Sequence, residues 1–231
     1  MKSDQLLSQP SLVKKNKSVQ PEDMKVSSLH LQNVNATYYE GAFSDISLQL
    51  KAGRVYGFLG NIAKRKLLLN LISGTVQPSA GQLLVNDTTD ISTISHWSSS
   101  YVTKIEKENH IFSKGDSNQA DPDNGIATKK TTLFNGVVNT LLETAPVLML
   151  DEAMALLTIE TEERIMQQIC LQNQHNIVIL NTTRPSSLKY CDHIFLLKHN
   201  RITEISKQTY FTDFASIFSG FFKDYYMENM L

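Results

Sequence analysis

The stretch of residues 53–74 decides the fold, and it reads GRVYGFLGNIAKRKLLLNLISG. Residues 55–59 form a compact apolar run that is typical of a buried strand, and the run ends at Gly60. Residues 64–72 have the apolar spacing of a helix, and Gly74 stands where a helix commonly ends. The stretch therefore predicts a strand, a short loop that starts with glycine, and a helix.

The predicted loop has part of the pattern of a phosphate-binding loop, GxxxxGK[ST], in which backbone amides at the start of a helix face phosphate. Gly60 and Lys66 have the spacing of the first glycine and the lysine. Arg65 replaces the second glycine, and Leu67 replaces the hydroxyl residue that binds Mg²⁺. On this segment alone, a phosphate loop and a basic turn before an amphipathic helix are equal alternatives. The candidate nucleotide-binding residues in the loop are Gly60, Asn61, Ala63, Lys64, Arg65, Lys66 and Leu67.

Strand and helix patterns alternate along the rest of the chain. Alternating or continuous apolar runs predict strands at 29–34, 46–50, 82–85, 147–150, 177–180, 194–197 and 202–205, the last two as a hairpin. Helical spacing predicts helices at 133–142 and 161–171. This alternation predicts an α/β domain with a largely parallel sheet.

Two acids follow the apolar run at 147–150, namely Asp151 and Glu152. Carboxylates at the end of a buried strand suit metal binding and the activation of water. The plain alternative is a strand that emerges into solvent with two hydrated acids. The segment at 53–74 favours the functional interpretation of this pair.

Residues 53–60, 69–74 and 78–86 together resemble the ABC transporter ATPase family, and the order of elements over 29–205 agrees. The resemblance implies a P-loop NTPase-like α/β domain with a mainly parallel core sheet and an antiparallel β segment at its start. It implies ATP and Mg²⁺ as cofactors, with Asp151 as the metal ligand and Glu152 as the catalytic base. Tyr38 or Tyr39 would stack on adenine, or else pack on the sheet.

Several motifs of that family have changed in this chain. The signature loop falls on residues 127–132, which contain no glycine pair, and the loop after the acid pair lacks its usual aspartate. Neither the switch histidine after residues 177–180 nor the glutamine expected near residues 101–104 is present. The resemblance therefore implies a weakened Mg²⁺ site, and activity of the isolated chain that is weak or absent.

Composition and the resemblance divide the chain into regions. Residues 1–28 are polar and predict a disordered tail, followed by the ATPase-like domain at 29–231. Because Lys66 and Asp151 are closer together than in the family, the helical subdomain is reduced to an arm at 104–132. Residues 207–231 have an aromatic helical face, which either caps the core or docks a partner. Cys170 and Cys191 are expected to be buried, reduced thiols.

Two functions follow from the resemblance. The first is an ATP-binding subunit of an ABC-type transporter, possible roles being peptide or bacteriocin export, or immunity. The chain would lie at the inner face of the cell membrane, bound to a transmembrane permease subunit and paired with itself or a second ATPase subunit. The alternative is a non-catalytic scaffold or regulatory subunit of a membrane complex. A formal net charge of −1 does not favour nucleic acid as a partner.

Overall fold

Two β-sheets form the frame of the molecule. A computed structural model describes residues 24–107, 138–144, 146–182 and 184–212. The first sheet has the order β2-β1-β4-β5 and is antiparallel. Its strands are β1 (Ser28–Tyr38), β2 (Gly41–Lys51), β4 (Ala80–Val85) and β5 (Thr89–Asp90). This sheet confirms the predicted antiparallel segment at the start of the domain.

The core sheet has the order β10-β9-β3-β8-β7-β6. Its strands are β3 (Arg54–Gly60), β6 (Val102–Glu106), β7 (Val147–Asp151), β8 (Ile177–Asn181), β9 (His193–Lys198) and β10 (Arg201–Ile205). All its pairings are parallel except β9 with β10, the predicted hairpin. The predicted α/β class with a mainly parallel core sheet is therefore confirmed.

Helices cover both faces of the core sheet. They are α1 (Ile62–Ile72), α2 (Trp97–Tyr101), α3 (residues 138–144), α4 (Ile159–Gln172), α5 (Pro185–Leu188) and α6 (Lys207–Thr212). One apolar cluster joins α1 to the antiparallel sheet and to one face of the core sheet. A second cluster joins α3 and α4 to the other face. The parallel strands are therefore buried from both sides, which explains their continuous apolar sequences.

The folded domain begins before the predicted boundary at residue 29. Val26 is 2% exposed, and Ser28 is the first residue of β1. Asn86 holds this segment, because its Oδ1 accepts from the Ser27 amide at 2.8 Å and its Nδ2 donates to the Lys25 carbonyl at 2.8 Å. The last residues of the predicted tail, from Met24 onward, thus belong to the fold, whereas residues 1–23 lie outside the described residues.

Two truncations test where the domain begins. We expect deletion of residues 1–23 to leave the melting temperature unchanged. Deletion of residues 1–27 exposes the surface that Val26 covers, at a cost of about 2 kcal/mol or a few degrees in melting temperature. Thermal unfolding of both proteins beside the full chain is the measurement. A large loss already in the shorter deletion would show that the preceding tail is packed.

Three other sequence predictions change with the structure. Residues 104–106, predicted as the start of the reduced arm, form the end of β6, a strand at the edge of the core sheet where polar side chains can reach solvent. Cys191 is buried as predicted, but Cys170 is exposed because it lies on the outer side of α4. The rest of the predicted arm, the first part of the helix predicted at 133–142, and the aromatic residues beyond 212 lie outside the described residues.

Candidate functional site: a closed phosphate loop

The connection between β3 and α1 is shorter than a phosphate loop requires. The strand ends at Gly60 and the helix begins at Ile62, so Asn61 alone separates them. The Asn61 side chain caps the helix, accepting from the amides of Ala63 at 2.8 Å and Lys64 at 3.4 Å. Its carbonyl accepts from the Arg65 amide at 3.0 Å. Amides that a P-loop directs at phosphate are therefore bonded within the chain.

Gly60 has a structural reason to be glycine. Its φ of 134° lies in a region that side-chain-bearing residues rarely adopt. A Cβ at this position would also lie 2.4 Å from the carbonyl oxygen of Leu197 on β9. The close approach of two strands is thus sufficient to explain this residue, and no phosphate is needed for the explanation.

The basic residues of α1 point in different directions. Lys66, predicted as the phosphate lysine, is exposed, whereas Arg65 is only 2% exposed. Successive helical residues are turned by about 100°, so neighbouring side chains cannot share one direction. Lys64 is buried, and Leu67 is buried in the apolar core, where it offers no oxygen to a metal. Arg65, rather than Lys66, therefore contacts the acidic strand end.

Arg65 and the acid pair form one hydrogen-bonded network with Asn181. The Arg65 guanidinium donates to Glu152 Oε1 at 3.0 Å, to the Gly60 carbonyl at 3.1 Å, and to Asn181 Oδ1. Asn181 in turn donates through Nδ2 to Asp151 Oδ1. The parallel register of β7 and β8 makes this possible, because it places Asp151 beside Asn181.

A lysine from the edge strand completes this network. Lys104 Nζ lies 3.4 Å from Asp151 Oδ2 and 2.5 Å from Glu106 Oε1. Burial acts to lower the pKa of Lys104, but Glu106 and Asp151 outweigh it and raise this pKa above its usual value. The ammonium group therefore stays charged, and each carboxylate of the acid pair has a cation beside it.

The two tyrosines considered for adenine binding lie at the turn between β1 and β2. Tyr39 is 85% exposed, and Tyr38 is also exposed. The rings contact each other edge to face, with 4.5 Å between their centroids. Neither ring belongs to the two buried apolar clusters.

The loop after the acid pair is held by an arginine that the sequence interpretation did not assign a role. Arg184 Nη1 donates to Glu162 Oε2 at 2.7 Å and to the carbonyls of Leu157 at 3.0 Å and Met154 at 3.2 Å. Glu162 is fully buried, and its Oε2 also accepts from the Ser186 hydroxyl at 3.1 Å. Burial raises the pKa of Glu162, and Arg184 opposes that rise. The contact ties the start of α4 to the segment after β8.

The residues present do not fit the Mg²⁺ that the resemblance implies. Leu67 has no hydroxyl, Asp151 is bonded to Asn181 and Lys104, and Glu152 is paired with Arg65. In the described parts of the chain, no group of three or more His, Cys, Asp and Glu side chains could hold a metal ion. The acid pair is thus compensated by side chains of the protein itself.

Solved structures that are similar to this chain include proteins of ABC transporters. A bacterial Atm1-family ABC exporter with ATP bound matches with a TM-score of 0.58 and 17% identity, over 81% of this chain and 40% of that one. The protein cbiO1 from Clostridium perfringens, part of the ABC transporter complex cbiONQ, matches with a TM-score of 0.59 and 20% identity, over 84% of this chain and 94% of that one. These neighbours define the class of the fold.

Sequence relatives belong to the same class. A β-(1→2)-glucan export ATP-binding/permease protein from Agrobacterium vitis is 26% identical over 199 residues, which are 70% of this chain and 34% of the relative. A methionine import ATP-binding protein from Caulobacter vibrioides is 44% identical over 59 residues, which are 24% of this chain and 18% of that one. No family model matches the chain.

Fold and sequence relatives lead to one classification. The fold is that of P-loop ATPase domains of the ABC type. The relatives are ATP-binding proteins of ABC transporters, which supports an ABC nucleotide-binding domain, as the resemblance implied. The chain spans about a third of the length of the glucan exporters that it matches. Among the residues that the structure describes, no helix is both long and apolar enough to cross a membrane.

Proposed function

We propose that this chain is a component of an ABC-type transporter whose own nucleotide site hydrolyses ATP at or near the background rate. The observation that carries the proposal is the ion pair of the buried Arg65 with the partly exposed Glu152, 3.0 Å between Nη1 and Oε1. It joins the two positions at which a P-loop ATPase needs an open glycine turn and a free carboxylate.

The ion pair affects catalysis through the carboxylate. A general base or water-orienting group must offer its oxygen to the attacking water. Glu152 Oε1 instead accepts from Arg65, and a nearby cation makes a carboxylate a weaker base. The side chain of Leu67 adds no metal ligand, and phosphoryl transfer depends on metal, loop and base together. These contacts support a slow or inactive site.

Partners are proposed from the relatives. The glucan-export relatives are described as ATP-binding/permease proteins, so their chains combine an ATPase with a permease. We propose that this chain works at the inner face of the membrane with a separate transmembrane permease subunit. A second ATPase subunit with intact motifs would supply hydrolysis. The relatives include glucan exporters and a methionine importer, so peptide or bacteriocin export, or immunity, rests on the resemblance alone.

A second candidate function is a scaffold that binds no nucleotide at all. The capping of α1 by Asn61 favours it, because the amides of Ala63 and Lys64 already have an acceptor. Measuring ATP binding to the purified chain separates this scaffold from a subunit that binds ATP without hydrolysing it.

Calorimetric titration with ATP is that measurement. We expect weak binding, with a dissociation constant of about 0.1 mM or higher, and nearly the same value with and without Mg²⁺. The reason is that Lys66 remains exposed at the start of α1 while Leu67 offers the metal no oxygen. Tight binding that strictly requires Mg²⁺ would contradict the proposed function.

Two lysine variants show whether the weak binding occurs at α1. Lys66→Ala removes an exposed charge at the start of this helix and should weaken binding further. Lys51→Ala is the matched control, since this exposed lysine lies before the opposite end of β3 and should leave binding unchanged. No detectable heat with any of the three proteins would favour the scaffold.

A further inference from the structure

We propose that Arg65 is a built-in counter-cation. It takes the place of a divalent metal beside Asp151 and Glu152, at the edge of the core sheet where the parallel strands have their carboxyl ends. The contact is autoinhibitory, because it pairs Glu152 with a cation of the chain itself, without metal or nucleotide. This inference rests on the proposed function, because it assigns the proposed loss of metal-dependent chemistry to Arg65.

Each carboxylate of the acid pair has a basic side chain beside it. Asp151 is 7% exposed, and a carboxylate so far from solvent requires a cation or several hydrogen bonds. Lys104 lies beside one of its oxygens, and Asn181 donates to the other. Glu152 is paired with Arg65, so both carboxylates of the acid pair are compensated.

The position of the guanidinium is well defined. Nε donates to the Gly60 carbonyl at the end of β3, and Nη1 donates to Asn181 at the end of β8 and to Glu152 just after β7. One side chain thus connects the carboxyl ends of three parallel strands. A metal ion that used Glu152 would have to break the Arg65 contact and leave a nearly fully buried guanidinium without its counter-ion.

The short β3–α1 connection brings Arg65 to this place. Because α1 begins at Ile62, residue 65 lies in its first turn, and the Arg65 amide bonds back to the Asn61 carbonyl at 3.0 Å. A planar fork of five N–H donors can serve several acceptors at once, which a lysine ammonium does with less directional precision. Arg65 therefore occupies the site and also connects the strand ends that surround it.

Arg65→Ala in the full chain tests the inference, with Mn²⁺ as the probe. Removal of the guanidinium leaves Glu152 and Asn181 without their partner, and we expect the melting temperature to fall by about 5–15 °C in the presence of EDTA. Saturating Mn²⁺ should recover about 5 °C or more of this loss, and electron paramagnetic resonance should count one bound Mn²⁺ per chain. The wild type should show neither a Mn²⁺-dependent shift nor a bound ion.

Further variants separate the charge of Arg65 from its packing. Arg65→Lys keeps the positive charge and should not acquire Mn²⁺ binding. Arg65→Gln keeps a polar side chain without the charge and should acquire it, so it replaces the alanine variant if that protein does not fold. Adding Asp151→Asn to either neutral variant should abolish the bound Mn²⁺, which would place the ion at this edge of the sheet.

Two results would overturn the inference. One is a wild type that binds Mn²⁺ stoichiometrically or loses stability in EDTA. The other is a neutral Arg65 variant that folds but shows no bound Mn²⁺. Phosphate release by the wild type is measured separately. If the wild type is inactive and Arg65→Gln does not respond to Mn²⁺, this inference is refuted but the proposed function remains.

Discussion

Purified wild-type protein is expected to release phosphate from ATP at the same rate as a protein-free control, and Glu152→Gln should not change that rate. Glu152 Oε1 accepts from Arg65 at 3.0 Å, so its carboxylate is not free to orient an attacking water. Leu67 also offers no hydroxyl to a metal, and phosphoryl transfer requires metal, loop and base together. Because the site already lacks activity for more than one reason, a further change at Glu152 should not lower the rate.

Steady-state phosphate release with Mg²⁺ and ATP is the measurement. Turnover of about 1 per second or faster, abolished by Glu152→Gln, would contradict a closed site. Leu67→Thr provides a second control. Groups that act as a unit lose activity together, so restoring one hydroxyl should not restore turnover. Activity gained by Leu67→Thr alone would mean that Arg65 does not obstruct the site.

The strands of the core sheet were predictable where the local sequence alone has a strand pattern. The apolar runs at 147–150 and 177–180 are β7 and β8 because strands buried on both faces require such residues. β6 was missed because three of its five residues, Thr103, Lys104 and Glu106, are polar without strict alternation, and only Ile105 is buried. Its pairing with β7 comes from residues far along the chain, and no local pattern reports that pairing.

The sequence predicted the two acids of the site but not the hydrogen bonds that they make. Asp151 and Glu152 follow an apolar run and were identified from that context. Asn181 was considered only as a position near the missing histidine, since its contact with Asp151 depends on the register between β7 and β8. Asn61 was assigned to a phosphate loop, whereas an asparagine before a helix is also a good cap. Which role it has depends on where α1 starts.

Arg184→Ala is expected to destabilise the folded domain strongly. It leaves the fully buried Glu162 carboxylate without its cation and removes a donor from the carbonyls of Met154 and Leu157. Loss of one partner from a buried pair costs about 3–5 kcal/mol, and because Arg184 is itself 31% exposed we expect about 3 kcal/mol. For a domain of this size, that corresponds to roughly 6–12 °C in melting temperature.

The pH dependence of that loss identifies its cause. Burial already raises the pKa of Glu162 above its ordinary 4.5, and removal of Arg184 raises it further. A carboxyl whose pKa is higher in the folded than in the unfolded chain binds protons preferentially when folded, so acid favours folding. The stability that Arg184→Ala loses should therefore be small below about pH 4.5 and grow as the pH rises through the folded-state pKa.

Glu162→Gln combined with Arg184→Ala removes the buried charge. Denaturant unfolding between pH 4 and 8 should show most of the stability restored at neutral pH. A loss that is equal at all pH values, or a double variant no more stable than Arg184→Ala, would show that the arginine acts through its bonds to the Met154 and Leu157 carbonyls and not through Glu162.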